Sequence, residues 1–119
     1  MKKKVIAIDI DETLCTNAKP IYSISDYKNS QPIKEMIFLT NQLYKENYII
    51  LYTARGKLLT KKNTNLQKKL RRITINQLND WNVKYHELNM NKIFYDLIID
   101  DKSANPLKGI KKLIKEIKS

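Results

Sequence analysis

The stretch VIAIDIDETL, residues 5–14, decides the fold. It reads as an apolar strand that ends in two aspartates one residue apart, Asp9 and Asp11, with Thr13 two residues further on. The carboxyl end of a central parallel strand opens into a crevice where ligands bind, whereas an ordinary core would not tolerate two unpartnered charges. Magnesium combines one or two protein carboxylates with phosphate oxygens, so the aspartate pair indicates a bound cation and phosphoryl chemistry.

Polar groups also follow two later apolar strands, at residues 49–52 and 97–99. Taken alone, an Asp-x-Asp-x-Thr match is weak, but the ordered succession of strands that each end in polar side chains makes it strong. Thr53 and Arg55 follow the first of these strands, and Asp100 and Asp101 follow the second. Lys92 lies a few residues before the second strand.

This succession resembles the haloacid dehalogenase-like phosphohydrolase superfamily, over nearly the whole chain. DIDET matches its first motif, Thr53 its second, Lys92 its third, and the pair Asp100 and Asp101 its fourth. The stretches YTARG, TINQLNDWNVKYHELNMNK and YDLIIDDKSANP are similar to very short members associated with bacterial capsule and other surface-polysaccharide synthesis. The chain departs from the family in two places. Glu12 stands where the commonest form of the first motif has glycine, and residues 57–72 contain no glycine-rich turn.

The order of elements predicts one α/β domain over residues 1–119. We expect strands at about residues 4–9, 48–53, 83–86 and 97–100, separated by helices, which gives a three-layer α/β/α sandwich with a parallel, Rossmann-like sheet. By the resemblance, the strand order is 4-1-2-3. Pro32 is well placed to open the first helix, Thr74 and Gln77 have the form of a capping box that starts the second, and Asn105 precedes the last.

Composition agrees with a small cytoplasmic protein. A chain of 119 residues can bury a single core without disulfides, and its one cysteine, Cys15, reads as a free, packed thiol. The basic start MKKK precedes far too short an apolar run for a signal peptide or membrane span, so no membrane partner is expected.

The net charge of +11 raises a nucleic-acid partner as an alternative. Lysine supplies most of the excess in a chain also rich in isoleucine and asparagine, and no nucleic-acid motif is present, so we disfavour that alternative. The C-terminal basic cluster, residues 108–118, reads as the solvated face of a helix. For the other cluster, residues 57–72, a solvated stretch is the expectation and a nucleic-acid grip the alternative.

The resemblance also implies roles for the site residues. Asp9 is the nucleophile that forms an aspartyl-phosphate, and Asp11 protonates the leaving group and then activates water. Thr53 and Lys92 bind the phosphoryl oxygens, while Arg55 either contacts substrate or forms a salt bridge that holds its loop. Mg²⁺ is held by Asp9, the backbone carbonyl of Asp11 and Asp100, with Asp101 reaching it through water or orienting Lys92.

The gaps after the first and second strands are too short for a folded cap, which in larger relatives excludes water and selects substrate. We therefore expect an open site that is covered by a large substrate or by a neighbour in a homo-oligomer. The predicted function is magnesium-dependent hydrolysis of a small phosphate monoester, a sugar or polyol phosphate in surface-polysaccharide synthesis. The alternatives are a phosphatase for nucleotide or nucleic-acid terminal phosphates and a non-catalytic phosphate-binding or assembly protein.

Overall fold

The computed structural model describes residues 3–90 and the backbone of the strand at residues 97–99. In chain order, the elements are β1 (Val5–Asp9), β2 (Cys15–Thr16), a 3-10 helix (Ile24–Asn29), β3 (Gln31–Pro32), α1 (Lys34–Tyr44), β4 (Tyr48–Tyr52), α2 (Lys57–Thr60), α3 (Thr64–Asp80), β5 (Glu87–Asn89) and β6 (Leu97–Ile99).

Four strands form one parallel sheet in the order β5-β4-β1-β6. Asp9 at the end of β1 lies opposite Tyr52 at the end of β4, and Ile8 lies opposite Ile99 of β6. This is the predicted order 4-1-2-3. Because the strands are parallel, their carboxyl ends share one edge of the sheet, which we call the carboxyl edge.

The core lies against the sheet. Ile6 and Ile8 of β1 face the same side as Ile49 and Leu51 of β4, and the apolar residues of α1 and α3 join them in one cluster. The intervening residues Ala7 and Ile50 face the other side and are buried as well, so both faces of the sheet are covered. Such coverage is typical of a Rossmann-like α/β core, and the predicted fold class is confirmed.

The first helix begins two residues later than predicted. Pro32 belongs to β3, where it pairs with Cys15 in a two-stranded antiparallel hairpin, and the amide of Ile33 donates to the carbonyl of Leu14. Proline is tolerated in such a short edge strand because its missing N–H is not needed there. α1 buries an apolar face that includes Met36, Ile37 and Leu43.

The predicted start of the second helix at Thr74 is wrong. α3 begins ten residues earlier, and its N-cap is Asn63, whose side chain accepts a hydrogen bond from the amide of Leu66. Thr74 lies inside the helix and donates its hydroxyl to the carbonyl of Leu70. Residues 57–80 contain no glycine or proline, and this polar stretch forms two helices, α2 and α3, separated by residues 61–63.

The third predicted strand is also displaced. Val83 to His86 were expected to form it, but the observed β5 begins at Glu87, after a turn in which Asn82 has a left-handed φ of 57°. Val83 directly follows this turn and is buried in the core. Within β5, Leu88 is the residue that enters the core. An apolar side chain can therefore enter the core from a turn, which the alternating pattern alone does not distinguish from a strand.

The segments after β1 and β4 are small. The first is the β2–β3 hairpin with the 3-10 helix between its strands, and the second is α2 and α3, so residues 3–90 contain no cap domain. No helix in the described part of the chain is long and apolar enough to cross a membrane. Four earlier predictions lie outside the described residues: Lys92, Asp100, Asp101 and the final helix.

Candidate active site

Three of the predicted site residues, Asp11, Thr53 and Arg55, meet at the carboxyl edge. Asp11 follows β1 and Thr53 follows β4, and the hydroxyl of Thr53 donates to Oδ2 of Asp11 over 2.7 Å. A residue next to β1 therefore contacts a residue 42 positions later in the chain because the two strands are parallel neighbours. Asp9 lies at the end of β1, half-buried, just before this contact.

The Asp11 carboxylate is enclosed by donors. Nη2 of Arg55 lies 2.6 Å from Oδ1, Nε lies 3.2 Å from both oxygens, and the side-chain amide of Asn17 donates to Oδ1 over 2.8 Å. Burial by itself would raise the pKa of Asp11. The hydrogen bonds and positive charge of Arg55, together with hydrogen bonds from Asn17 and Thr53, outweigh burial and hold this pKa below its usual value. Asp11 is therefore an ionised carboxylate in this conformation.

Arg55 connects Asp11 to helix α3. Its Nη1 donates to Oε1 of Gln77 over 2.8 Å and to the hydroxyl of Thr74 over 3.2 Å, and the guanidinium lies 4.6 Å from the centre of the Tyr27 ring. The side chain has no exposed surface. Of the two roles considered for Arg55, the structure shows the salt bridge, and a substrate contact stays a prediction that requires this guanidinium to leave Asp11.

The side chain of Thr53 is also fixed by hydrogen bonds. Its side-chain oxygen accepts the amide of Arg55 over 3.0 Å while its hydroxyl proton points to Asp11, and the residue is buried. The predicted donation from Thr53 to a phosphoryl oxygen thus requires the hydroxyl to rotate away from Asp11. The geometry couples the two groups, because a movement of either one removes a hydrogen bond from the other.

One hydroxyl beside the aspartates lacks a partner. Thr13 is 1% exposed, and among the described residues its Oγ1 is the buried side-chain oxygen without a hydrogen bond. Leaving a buried hydroxyl unpaired costs about 1–3 kcal/mol, so such a group is commonly satisfied by a ligand or water. A polar ligand at this end of β1 fits that requirement.

Cys15 agrees with its predicted packing role. The thiol is buried, and its sulfur lies 3.7 Å from the carbonyl of Ile10 and 3.9 Å from Oδ1 of Asp11. Burial and the neighbouring charge of Asp11 raise the pKa of Cys15 to about 12. A thiol with that pKa is not ionised near neutral pH and is a poor nucleophile.

Sequence reasoning missed the residues that hold Arg55 in place. Thr74 and Gln77 looked like a capping box, but three residues apart inside α3 they share one face of the helix and bind the same guanidinium. Tyr27 packs its ring against Arg55, and its hydroxyl accepts the amide of Gly56 over 2.9 Å. Asn17 had no signal in the sequence, because its contact with Asp11 depends on the hairpin geometry.

The described residues fit a magnesium site in part. Asp9 and the backbone carbonyl of Asp11 are oxygen donors at the carboxyl edge, of the kind that Mg²⁺ prefers. No group of three or more histidine, cysteine, aspartate or glutamate side chains forms a metal centre within the described ranges. The proposed additional ligands Asp100 and Asp101 lie outside them.

A scan of protein-family models gives no match, and neither does a search of curated proteins. Solved structures do show similarity. The crystal structure of a target protein from Vibrio cholerae is 24% identical, with 96% of this chain and 98% of that chain covered and a TM-score of 0.66.

A chain of the Pnkp1/Rnl/Hen1 RNA repair complex is 16% identical, with 97% of this chain and 32% of that chain covered and a TM-score of 0.55. D,D-heptose 1,7-bisphosphate phosphatase from B. bronchiseptica, complexed with magnesium and phosphate, is 14% identical, with 98% and 64% covered and a TM-score of 0.49. The first two similarities show a shared fold. The class defined by fold and site is therefore a Rossmann-like α/β protein with aspartates at its carboxyl edge.

Proposed function

We propose that this protein is a magnesium-dependent phosphatase that hydrolyses a small phosphate monoester through an aspartyl-phosphate on Asp9. The observation that carries the proposal is the contact between Asp11 and Thr53 at the carboxyl edge, because it joins the first two motifs of the resemblance in one place. The buried hydroxyl of Thr13, which has no hydrogen-bond partner among the described residues, supports a polar ligand near the end of β1.

The residues divide the reaction into two steps. A carboxylate oxygen of Asp9 attacks phosphorus, the bond to the ester oxygen breaks, and the departing oxygen takes a proton from Asp11. Water then attacks the aspartyl-phosphate, gives a proton to Asp11 and releases inorganic phosphate. The ionised, salt-bridged Asp11 of this structure is in the form that accepts a proton, so the first step requires protonated Asp11.

Mg²⁺ would be held by Asp9, the backbone carbonyl of Asp11, and Asp100 with Asp101. When bound, it neutralises charge on the phosphoryl oxygens. Because the side-chain oxygens of Asp11 are already occupied by Arg55, Thr53 and Asn17, the backbone carbonyl is the group of this residue that stays available to the ion. Lys92 would add a fixed positive charge on the substrate side.

The substrate class and partners come from the resemblance and the open site. A sugar or polyol phosphate of surface-polysaccharide synthesis is the proposed substrate, with the protein acting in the cytoplasm. The small β2–β3 hairpin leaves coverage of the site to the substrate or to a second copy of the chain. The relevant partners are therefore a small phosphate ester and, in a homo-oligomer, another subunit.

The decisive test is Asp9→Asn assayed with Mg²⁺ on a panel of sugar and polyol phosphates. The amide fills the same space but cannot attack phosphorus, so we expect turnover to fall by at least about a thousandfold while the circular dichroism spectrum is unchanged. EDTA should stop wild-type turnover, and added Mg²⁺ should restore it. The matched control is Asp80→Asn, which removes an exposed carboxylate at the end of α3.

The control should retain the wild-type rate within about twofold. More than about a tenth of the wild-type rate in Asp9→Asn would contradict the aspartyl-phosphate mechanism, and full activity after exhaustive chelation would contradict the metal requirement.

A further inference from the structure

A cavity of about 410 Å³ lies next to the candidate site. The loop after β4, helix α2 and the first turns of α3 form its walls, and Met90, which follows β5, also lines it. Arg55 belongs to both places, since it lines the cavity and binds Asp11. The cavity and the aspartates therefore share one residue at the carboxyl edge, and the volume is that of a small-ligand site.

The cavity lining is strongly basic. Among the described residues that line it, four besides Arg55 are cationic and none is a carboxylate. The four are Lys57, Lys61, Lys68 and Arg71. The sequence explains this imbalance, because no aspartate or glutamate occurs between Glu46 and Asp80. Arg55 is neutralised by Asp11, whereas no salt bridge to any of the other four is found among the described residues. Such a cavity attracts anions.

The basic residues of α3 are not spread evenly over its surface. Lys68 and Arg71 are three positions apart and line this cavity, whereas Lys69 and Arg72 line a separate cavity formed with the 3-10 helix. Basic side chains of residues 57–72, which were expected to form one solvated stretch, therefore line two separate cavities. The first shares Arg55 with the Asp11 carboxylate.

Several contacts shape the cavity. Nη1 of Arg71 donates to the carbonyl of Leu88 in β5 over 3.2 Å, which holds the guanidinium near the carboxyl edge. The side-chain amide of Gln67 donates to the carbonyl of Lys61 and connects α3 to the turn after α2. Thr64 and Gln67 add neutral polar groups, and Leu70 and Met90 add apolar surface. Charged, polar and apolar groups together suit a phosphorylated sugar.

We propose that this basic cavity binds a second phosphate group of the substrate, so that the protein prefers small bisphosphates over monophosphates. This inference rests on the phosphatase function proposed above. The phosphate to be cleaved lies at Asp9, and the second phosphate is held by Lys61, Lys68 and their basic neighbours across Arg55. We favour a small molecule over a nucleic-acid strand because a cavity of about 410 Å³ lies in the range of small-molecule pockets.

The test compares glucose 1,6-bisphosphate with glucose 1-phosphate and glucose 6-phosphate under Mg²⁺. For the wild-type protein, we expect kcat/KM on the bisphosphate to exceed that on the better monophosphate by about tenfold or more, since charge-assisted hydrogen bonds to a phosphate have that strength. In Lys61→Ala/Lys68→Ala this ratio should fall to within about threefold of unity.

The matched control is Lys62→Ala/Lys84→Ala, which removes the same charge from exposed positions that do not line the cavity. It should keep the wild-type ratio. Equal wild-type rates on the two substrate types, or a preference that survives in Lys61→Ala/Lys68→Ala, would overturn the inference. An equal loss in the control would do the same, since net charge would then account for it.

A binding measurement separates this inference from the proposed function. Calorimetric titration of Asp9→Asn with glucose 1,6-bisphosphate reads affinity without turnover, and adding Lys61→Ala and Lys68→Ala should weaken it about tenfold or more. If no ester is hydrolysed, the phosphatase function fails, but this loss of affinity would still support the cavity. No binding, or no loss, overturns the cavity. Cavity-dependent turnover of a 3′-phosphorylated oligonucleotide above that of the bisphosphate would overturn the small-molecule choice.

Discussion

Arg55 is the side chain on which most of the observed site depends. It joins the loop after β4 to Asp11 beside β1, to Thr74 and Gln77 in α3, and to the ring of Tyr27. A fully buried guanidinium can be stable only if all its donors are matched, and here its hydrogen-bond partners come from three parts of the chain.

Arg55→Ala should therefore destabilise the protein by about 3 kcal/mol, because it leaves the Asp11 carboxylate partly buried without its cation. Arg55→Lys should also be destabilised, since one ammonium group cannot reach Asp11, Thr74 and Gln77 together. Unfolding in urea, followed by circular dichroism, measures both. Arg72→Ala, an exposed arginine of α3, is the control and should change stability by less than about 0.5 kcal/mol. A similarly small change in Arg55→Ala would contradict this account.

His86 acts as an acceptor for the sheet. The amide of Ile49 donates to Nδ1 of His86 over 3.0 Å, and the ring is stacked between Tyr44 and Tyr48 at centroid distances of 4.4 and 4.7 Å. Partial desolvation of the ring, with a smaller contribution from the charge of Lys3, lowers the pKa of His86. Protonation at Nδ1 would also oppose the hydrogen bond from Ile49.

Stability should consequently depend on pH through His86. Its pKa is lower in the folded state than the value of about 6.5 expected when unfolded, so the unfolded chain binds a proton first as the pH falls. The free energy of unfolding should be constant with respect to this group above about pH 6.5 and should decrease below it. His86→Asn retains an acceptor near the same place but does not titrate. Urea unfolding at several pH values should show a smaller decrease in this variant, and identical pH dependences would exclude His86 as the cause.

At the scale of elements, the turn between β4 and α2 places the cavity beside the aspartates. Gly56 has a φ of +70°, which most side chains disfavour, and a Cβ added there would lie 2.3 Å from Cδ2 of buried Leu70. Glycine at this position therefore lets α3 pack closely against the turn, while the amide of Gly56 binds Tyr27.

Gly56→Ala should destabilise the fold by about 2 kcal/mol or more, through backbone strain together with overpacking. Leu70→Ala removes the clashing atoms, so the double variant should cost less than the sum of the two single variants, and a double-mutant cycle of urea unfolding measures this difference. Leu58→Ala, an exposed position 85% accessible in α2, is the control and should be nearly neutral. Strict additivity would show that Leu70 does not restrict this turn.

At the scale of the whole molecule, the net charge of +11 opposes compaction. Between two described residues, the salt bridge found is that of Arg55 with Asp11, and the chain has 23 lysines and arginines against 12 aspartates and glutamates, so most positive side chains cannot each have a carboxylate partner. Screening by salt should weaken the repulsion between exposed lysines, because the Debye length shortens from about 30 Å at 0.01 M to about 10 Å at 0.1 M.

The melting temperature should therefore rise by a few degrees between about 0.01 and 0.3 M sodium chloride, as measured by scanning calorimetry. Lys45→Glu/Lys84→Glu lowers the net charge at exposed positions and should reduce this response. A melting temperature that falls with salt in the wild-type protein would mean that attractive pairs, rather than repulsion, dominate its electrostatics.

The sequence alone determined where the first, second and fourth strands lie and that the segments after β1 and β4 are small, because local hydrophobic runs and their spacing are written directly in the chain. The strand order, and with it the placement of Asp11 near Thr53, was predicted from the family resemblance that the motifs carry. The predicted start of α3 was ten residues too late, because an internal Thr74 and Gln77 have the same spacing as a capping box. The predicted third strand was placed too early, because an apolar turn has the same local pattern as a strand.

Only the tertiary structure decided which partners the charged groups have. Arg55 forms its salt bridge with Asp11 and its hydrogen bonds with Thr74 and Gln77, all of which are far from it in sequence. The basic residues of α3 are divided between two cavities, and each cavity is also lined by residues from other parts of the chain. A charged side chain specifies the kind of partner it needs but not which one. The parallel sheet and the packing of α3 against the turn at Gly56 make that choice, because they fix the distances at which these charges meet.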